Sequence, residues 1–340
     1  MVVTRRAALA ATACIVGAAP IGAQTVDELY QKAKVEKTVV LYGAGPTGSH
    51  DRWIKEFEQT FPGVTVSFTG GLSPVLNKKV EAQLAAGKIE TDLAILQTIQ
   101  DFAKWKKAGA MMAFKPAGWD VIDEAYKDED GAFVTVSVNA ITYAVNTELV
   151  TGADVPKSAL DFLKPQFAGK LITTDPTEDD AALAVFALIV QKYGWEYMEK
   201  YAAQKAAYVN GHAGVSNAIA SGDKLASFDS TTTTWQLMSG GKPIAGLFSQ
   251  TDATPIFLVG AGILRDAPHP NAARLYLSWF LARNQQARSG AFSARSDVPP
   301  PSGFKALADY NIDRGYRRLV TDLERVAELR RRLAPYIVQR

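Results

Sequence analysis

The chain has 340 residues, which suits about two domains of ordinary size. Apolar residues make up 47% and charged residues 21%, values that exclude a disordered, collagenous or coiled-coil chain. The net charge of +2 comes without a dense Lys/Arg patch mixed with aromatics, so no nucleic-acid partner is expected. The longest unbroken apolar run, residues 181–190, falls well short of the roughly 18 needed to cross a bilayer and reads as a buried helix.

Residues 1–23 read as an export signal: Arg5 and Arg6 open it, an alanine-rich stretch follows, and Gly22 and Ala23 end it. The paired arginines followed by Leu9 suggest the twin-arginine route, which carries folded proteins. Cleavage after Ala23 leaves 35 basic and 35 acidic side chains, a neutral mature chain bound for the periplasm. Cys14 is the one cysteine. Lipidation there is disfavoured, because Ala11, Thr12 and Ala13 lack the leucine such a site expects. The mature chain then has no thiol for a disulfide, a nucleophile or a thiolate metal site. His50, His212 and His269 are scattered without ligand spacing, so neither a metal site nor a cofactor is expected.

Elements then alternate. A linking helix at 26–34 precedes an apolar strand at 38–42. Trp53, Phe57 and Phe61 repeat at helical spacing over 51–61. A strand at 64–69 leads to Ser73-Pro74, a helix start with serine as cap and proline in the first turn. Residues 92–96 and 101–107 repeat the pattern. Two extended segments follow back to back within 133–145. A second alternating block has strands at 170–173 and 225–228 and helices at 181–193 and 215–220. Residues 255–264 are extended, 271–281 helical, and 316–332 carry Leu319, Leu323, Val326 and Leu329 on one stripe, the arginines there being a solvated face. Such alternation implies α/β architecture with mostly parallel sheets flanked by helices. It divides into lobe 1 (24–140 with 250–300), lobe 2 (141–249) inserted into it, and C-terminal docking helices (301–340). The cleft between the lobes is the default ligand site.

Three stretches carry a resemblance. The first has Tyr143, Asn146-Thr147, Pro156-Lys157-Ser158, Asp161-Phe162-Leu163, Pro165 and Gly169-Lys170. The second is His269-Pro270-Asn271-Ala272-Ala273-Arg274 with Phe280-Leu281, and the third Ser293-Ala294-Arg295-Ser296-Asp297-Val298-Pro299. The chain resembles the bacterial extracellular solute-binding proteins of ABC importers, in the branch with the ferric-iron-binding and polyamine-binding proteins. That implies a type II two-lobed clamp hinged on crossing strands near 139–146 and 248–256. It also implies an ABC permease as partner, a monomer, and no enzymatic activity. The iron-binding relatives chelate Fe(III) with adjacent tyrosines, a histidine and an acid. Those positions fall here on Thr232, Thr233, near Pro46 and on Gln97, which are poor donors for a hard cation. Direct iron binding is therefore doubtful, although an iron chelate could be carried whole.

Gly43-Ala44-Gly45-Pro46-Thr47-Gly48 matches the dinucleotide fingerprint G-x-G-x-x-G between a strand and a helix. The next strand, however, ends Ser67-Phe68-Thr69-Gly70 with no acid for ribose hydroxyls and no arginine for a phosphate. An exported NAD(P)-dependent oxidoreductase stays as the alternative of another class, and a ligand-contacting turn is the preferred reading. Hydrolase readings lack support: there is no G-x-S-x-G, and the threonines 231–234 have no activating neighbour. No catalytic residue is assigned.

In open α/β sheets the ligand lies beyond the carboxyl ends of strands. The corresponding loops, 42–47, 69–73, 97–98, 173–178, 210–216 and 229–234, are rich in Thr, Ser, Gly, Asn and Gln. The expected ligand-binding residues are Tyr42, Gly45, Thr47, Thr69, Gly70, Gln97, Thr98, Thr174, Asp175, Glu178, Asp229, Thr231, Thr232, Thr233 and Trp235. Helix starts favour an anion, whereas Asp175, Glu178 and Asp229 could hold an amine. Tyr42, Phe68, Tyr143 and Trp235 could form apolar walls. The reading leans to a small polar organic solute, with a slight preference for an anion.

Overall fold

The computed structural model describes residues 24–45 and 47–337, with Thr47 and Ser49 described by backbone alone. The expected export signal lies outside the described residues. Among those described, no helix is long and apolar enough to cross a membrane.

Helix α1 (Val26–Glu36) is opened by a reciprocal cap between Thr25 and Glu28. The first half continues with β1 (Thr38–Ala44), α2 (Asp51–Thr60), β2 (Thr65–Gly71), α3 (Ser73–Ala86), β3 (Leu93–Leu96) and α4 (Ile99–Lys107). Strands β4 (Val134–Ala140) and β5 (Thr142–Asn146) follow, separated only by Ile141. Then come β6 (Ile172–Thr174), α5 (Asp180–Tyr193), α6 (Glu196–Ala203), β7 (Ala207–Val209), α7 (His212–Ala220), β8 (Ala226–Ser230), α8 (Thr232–Ser239) and β9 (Ile244–Leu247). The chain ends with β10 (Thr254–Ile263), α9 (Pro270–Phe280), α10 (Arg283–Ala287), β11 (Ile312–Asp313), α11 (Tyr316–Thr321) and α12 (Leu323–Leu333).

One sheet runs β11-β10-β3-β1-β2, with β4 also on β10. Strand β1 is parallel to β2 and β3, and β10 is antiparallel to β3 and β4. A second sheet, β8-β5-β9, is antiparallel throughout, and β6-β7 form a parallel pair beside it. The sheets are thus mixed, not mostly parallel. The cause lies in the crossings: β10, with β11 parallel beside it, runs against β1, β2, β3 and β4 in the first sheet, and β5 returns antiparallel between β8 and β9. Two hydrophobic cores match the two sheets. Leu41, Phe57, Phe102, Trp105 and Tyr276 centre one; Phe162, Phe186, Tyr201 and Phe228 centre the other. The chain passes between them at Ile141, between β9 and β10, and again between β11 and α11, whose Tyr316 and Val320 lie in the second core.

Two local expectations change. Ser73 is not the cap of α3, since Leu72 holds that position and the Ser73 hydroxyl accepts from Gln97 N at 2.9 Å. The 316–332 stripe is not one helix. It breaks at Asp322, whose carboxylate caps α12 by accepting from Arg325 N at 3.0 Å.

Candidate functional site

Between the two cores lies a cleft of about 580 Å³. Ala44, Gly45, Gly71, Leu72, Ser73, Pro74, Gln97 and Thr98 line it from the first sheet's side, and residues 178–180, 210–213, Thr231 and Thr233 from the second. Five helices begin on it: α5, capped by Asp179, and four others, α3 after Leu72, α4 after Thr98, α7 after Gly211 and α8 after Thr231. None of these last four residues makes a side-chain capping bond. The starts of these four helices therefore present their partial positive charge to the cleft without a capping side chain.

The second-lobe wall is built around a buried ion cluster. His212 Nδ1 lies 3.0 Å from Asp229 Oδ1 and 3.2 Å from Thr174 Oγ1, and its Nε2 is 3.5 Å from Asp179 Oδ1. Burial alone would disfavour the imidazolium, but the charges of Asp229 and Asp179 outweigh it and hold the His212 pKa well above its ordinary value. Burial likewise pushes Asp179 up. The His212 charge and the N–H groups of Ala182 and Ala181 reverse that, leaving its carboxyl lowered. Asp180 is raised, chiefly by burial, against the pull of Arg330 2.7 Å away.

Three comparisons bear on this arrangement. The family model described as bacterial extracellular solute-binding protein matches residues 92–287. The chain belongs to that family. This solute-binding protein, from a non-enzymatic family, has no match among curated proteins by sequence. Its fold is that of solved periplasmic binding proteins. AfuA from Actinobacillus pleuropneumoniae, solved with exogenous fructose-6-phosphate bound, is 18% identical with a TM-score of 0.73, covering 88% of this chain and 99% of that one. Iron-bound HitA from Pseudomonas aeruginosa is 15% identical with a TM-score of 0.70, covering 87% and 99%. The substrate-binding protein of an ABC transporter from Agrobacterium tumefaciens is 14% identical with a TM-score of 0.76, covering 88% and 94%.

The solute-binding protein brings Gly45, Gln97, Thr98, Glu178, Thr231 and Thr233 together on the cleft. The glycine motif has a structural role here. A side chain at Gly43 would strike the Phe68 ring at 2.5 Å, and Gly45 adopts φ +108 as it pairs with Gly71 at the cleft mouth. Thr47 begins a short 3-10 turn, Thr47–His50, and its side chain lies outside the described set.

Other expected residues sit elsewhere. Thr69 and Gly70 stay in the ladder opposite Tyr42 and Gly43, because β2 runs on to Gly71 and moves the mouth to Gly71–Ser73. The Tyr42 hydroxyl accepts from Gln83 Nε2 at 3.2 Å, and its ring packs on the first core. Thr174 and Asp229 lie beneath the wall, joined by a 2.8 Å bond from Thr174 N to Asp229 Oδ2. Asp175 turns back on its own loop, accepting from Thr177 N at 2.8 Å and Thr177 Oγ1 at 2.6 Å. Thr232 donates to Asn139 Oδ1 on β4 at 2.5 Å. Trp235 is 2% exposed and packs against Phe292 and Phe304, so it is a core residue and not a cleft wall. Phe68 packs against His50 with the rings tilted by 31°, and Tyr143 donates to Asp252 at 2.6 Å.

Sequence reasoning named the 210–216 loop but no residue in it, and so missed His212. It also left out Asp179, Asp180 and Ser73. The partners of His212 are 17 and 33 positions away in the chain, so no local spacing signals them.

Proposed function

We propose that this solute-binding protein is the periplasmic receptor of an ABC importer. It takes a small polar organic solute into the interlobe cleft and delivers it to a membrane permease, acting as a monomer. Its anionic group, where it has one, lies toward the uncapped helix starts. The observation that carries the reading is the cleft itself. At about 580 Å³ it is sized for an organic molecule. Its described lining holds no tyrosine, and the hydroxyls of Thr231 and Thr233 are weak donors for Fe(III). Fructose-6-phosphate in AfuA and iron in HitA are bound on the same fold; the donors on this chain side with an organic solute. Binding shifts the balance between open and closed lobes because only the closed form contacts solute from both walls.

Native mass spectrometry of gently isolated protein tests this. The expected result is an organic adduct lost on unfolding and refolding. An adduct of iron alone, or of a nicotinamide dinucleotide, would overturn the reading.

A further inference from the structure

The C-terminal helices reach the cleft from behind, at the third crossing between the lobes. Helix α11 touches α4 of the first lobe, α5 of the second and the crossing strand β10. Its core packing is with the second lobe. Tyr316 and Val320 belong to the second core, as do Val326, Leu329 and Leu333 of α12. The Tyr316 ring lies 6.0 Å from that of Phe257 on β10. Helices α11 and α12 therefore ride with the second lobe in any opening of the clamp.

Tyr316 is 3% exposed, and its hydroxyl is sealed from solvent with no well-aligned hydrogen bond among the described residues. The charged groups around it are engaged elsewhere. Asp179 accepts from Ala181 N and Ala182 N, and Asp180 is paired with Arg330 at 2.7 Å. The hydrogen-bonding side chain that reaches the hydroxyl is Gln97, on the cleft-lining loop between β3 and α4 of the first lobe. Gln97 is tied to that lobe by its N–H, which donates to Ser73 Oγ at 2.9 Å. A buried hydroxyl left without a partner is destabilising, and a small approach of the lobes would align this one on the Gln97 amide. Such a bond links the lobes, because each partner is held in a different one.

On the reading that the lobes close over solute, we propose that Tyr316 is an interlobe latch, its hydroxyl bonding the Gln97 amide in the closed form and releasing it on opening. The latch raises the closed population before solute arrives and orients the amide that solute meets. One such hydrogen bond changes the closed-to-open ratio by about two- to tenfold. Distances between spin labels test this directly. Cys14 is the one native cysteine and lies in the expected export signal, so mature protein carrying Lys78→Cys and Asn217→Cys takes label at those two sites alone. Both sites are exposed, on α3 of the first lobe and α7 of the second. Pulsed electron paramagnetic resonance is run on this parent protein as isolated and again after stripping by unfolding and refolding. Tyr316→Phe should raise the ratio of long to short distances by about two- to tenfold. Gln97→Ala should do the same, and the double substitution should add nothing further. Distributions in Tyr316→Phe that superimpose on those of the parent would overturn the latch. Shifts that add in the double variant would also overturn it, by showing that the two side chains act apart. The receptor reading fails on a different result, the absence of an organic adduct in native mass spectrometry.

Discussion

His212 Nδ1 and Asp229 Oδ1 stand 3.0 Å apart behind the second-lobe wall, joining the start of α7 to the end of β8. Asp229 is fully buried, with His212 as its cationic partner and Thr174 N donating to its other oxygen at 2.8 Å. His212→Gln is expected to lower stability by about 3–5 kcal/mol, the cost of stranding a buried carboxylate. The pH dependence has a definite sign. A histidine whose folded pKa is raised contributes fully below its unfolded value near 6.5, and loses that contribution as pH rises through the folded value. Denaturation curves should therefore show an alkaline decline in stability that the variant lacks. An unchanged alkaline limb would contradict the ion pair.

Asp252 gathers the second lobe in a different way. It accepts from Tyr143 OH at 2.6 Å, Tyr193 OH at 2.5 Å, Lys192 Nζ at 2.5 Å and Ala159 N at 2.6 Å, just before the chain returns through β10. Burial pushes its carboxyl up, but Lys192 and the two phenols prevail and lower it. Its contribution is present above the unfolded carboxyl range and is lost as pH falls through the lowered folded value. Asp252→Asn should cost about 2 kcal/mol at neutral pH and flatten the acid limb of a stability profile measured by urea unfolding.

Trp235 should report on packing rather than on ligand. Trp235→Ala opens a void beside Phe292 and Phe304 and is expected to cost about 3–5 kcal/mol. A variant that keeps its thermal stability but loses solute affinity would return Trp235 to the cleft wall.

Gln97 and Thr232, given the same role by sequence, should separate. Gln97 lines the cleft, so Gln97→Ala should weaken solute binding by about 1–3 kcal/mol with little change in stability. Thr232 bonds Asn139 on β4, so Thr232→Ala should cost about 1 kcal/mol of stability and act on affinity only through the crossing strand. Calorimetry and thermal melts on both variants make the comparison.

What the sequence reveals tracks how local the cause is. Apolar periodicity places β1, α2, α5 and β10 closely, because the burial of Leu41, Phe57, Phe186 and Ile263 is written in their spacing. The loops at Gly45, Gln97-Thr98 and 231–233 are legible because they follow strand ends. Glu178 is legible as an acid ahead of a long apolar helix. Sheet polarity is not legible, since β10 pairs with β3 and β4 at long range. Nor is the division of labour among the acids. Asp175, Asp179 and Asp229 look alike in sequence, yet one bonds its own loop, one caps α5 and one underlies His212. Trp235 misleads for the same reason, its partners Phe292 and Phe304 lying beyond the reach of any pattern on α8.

The most direct test of the receptor account is a thermal-shift panel on mature protein stripped by unfolding and refolding. The panel holds amino acids, dicarboxylates, phosphate esters, polyamines, Fe(III) with and without citrate, and NAD(P). A solute that binds only the folded state at about 100 times its Kd adds about 2.7 kcal/mol, a readily seen shift. The account predicts a shift from one organic class that is reduced in Gln97→Ala. A shift with free Fe(III) alone or with NAD(P) alone would contradict it.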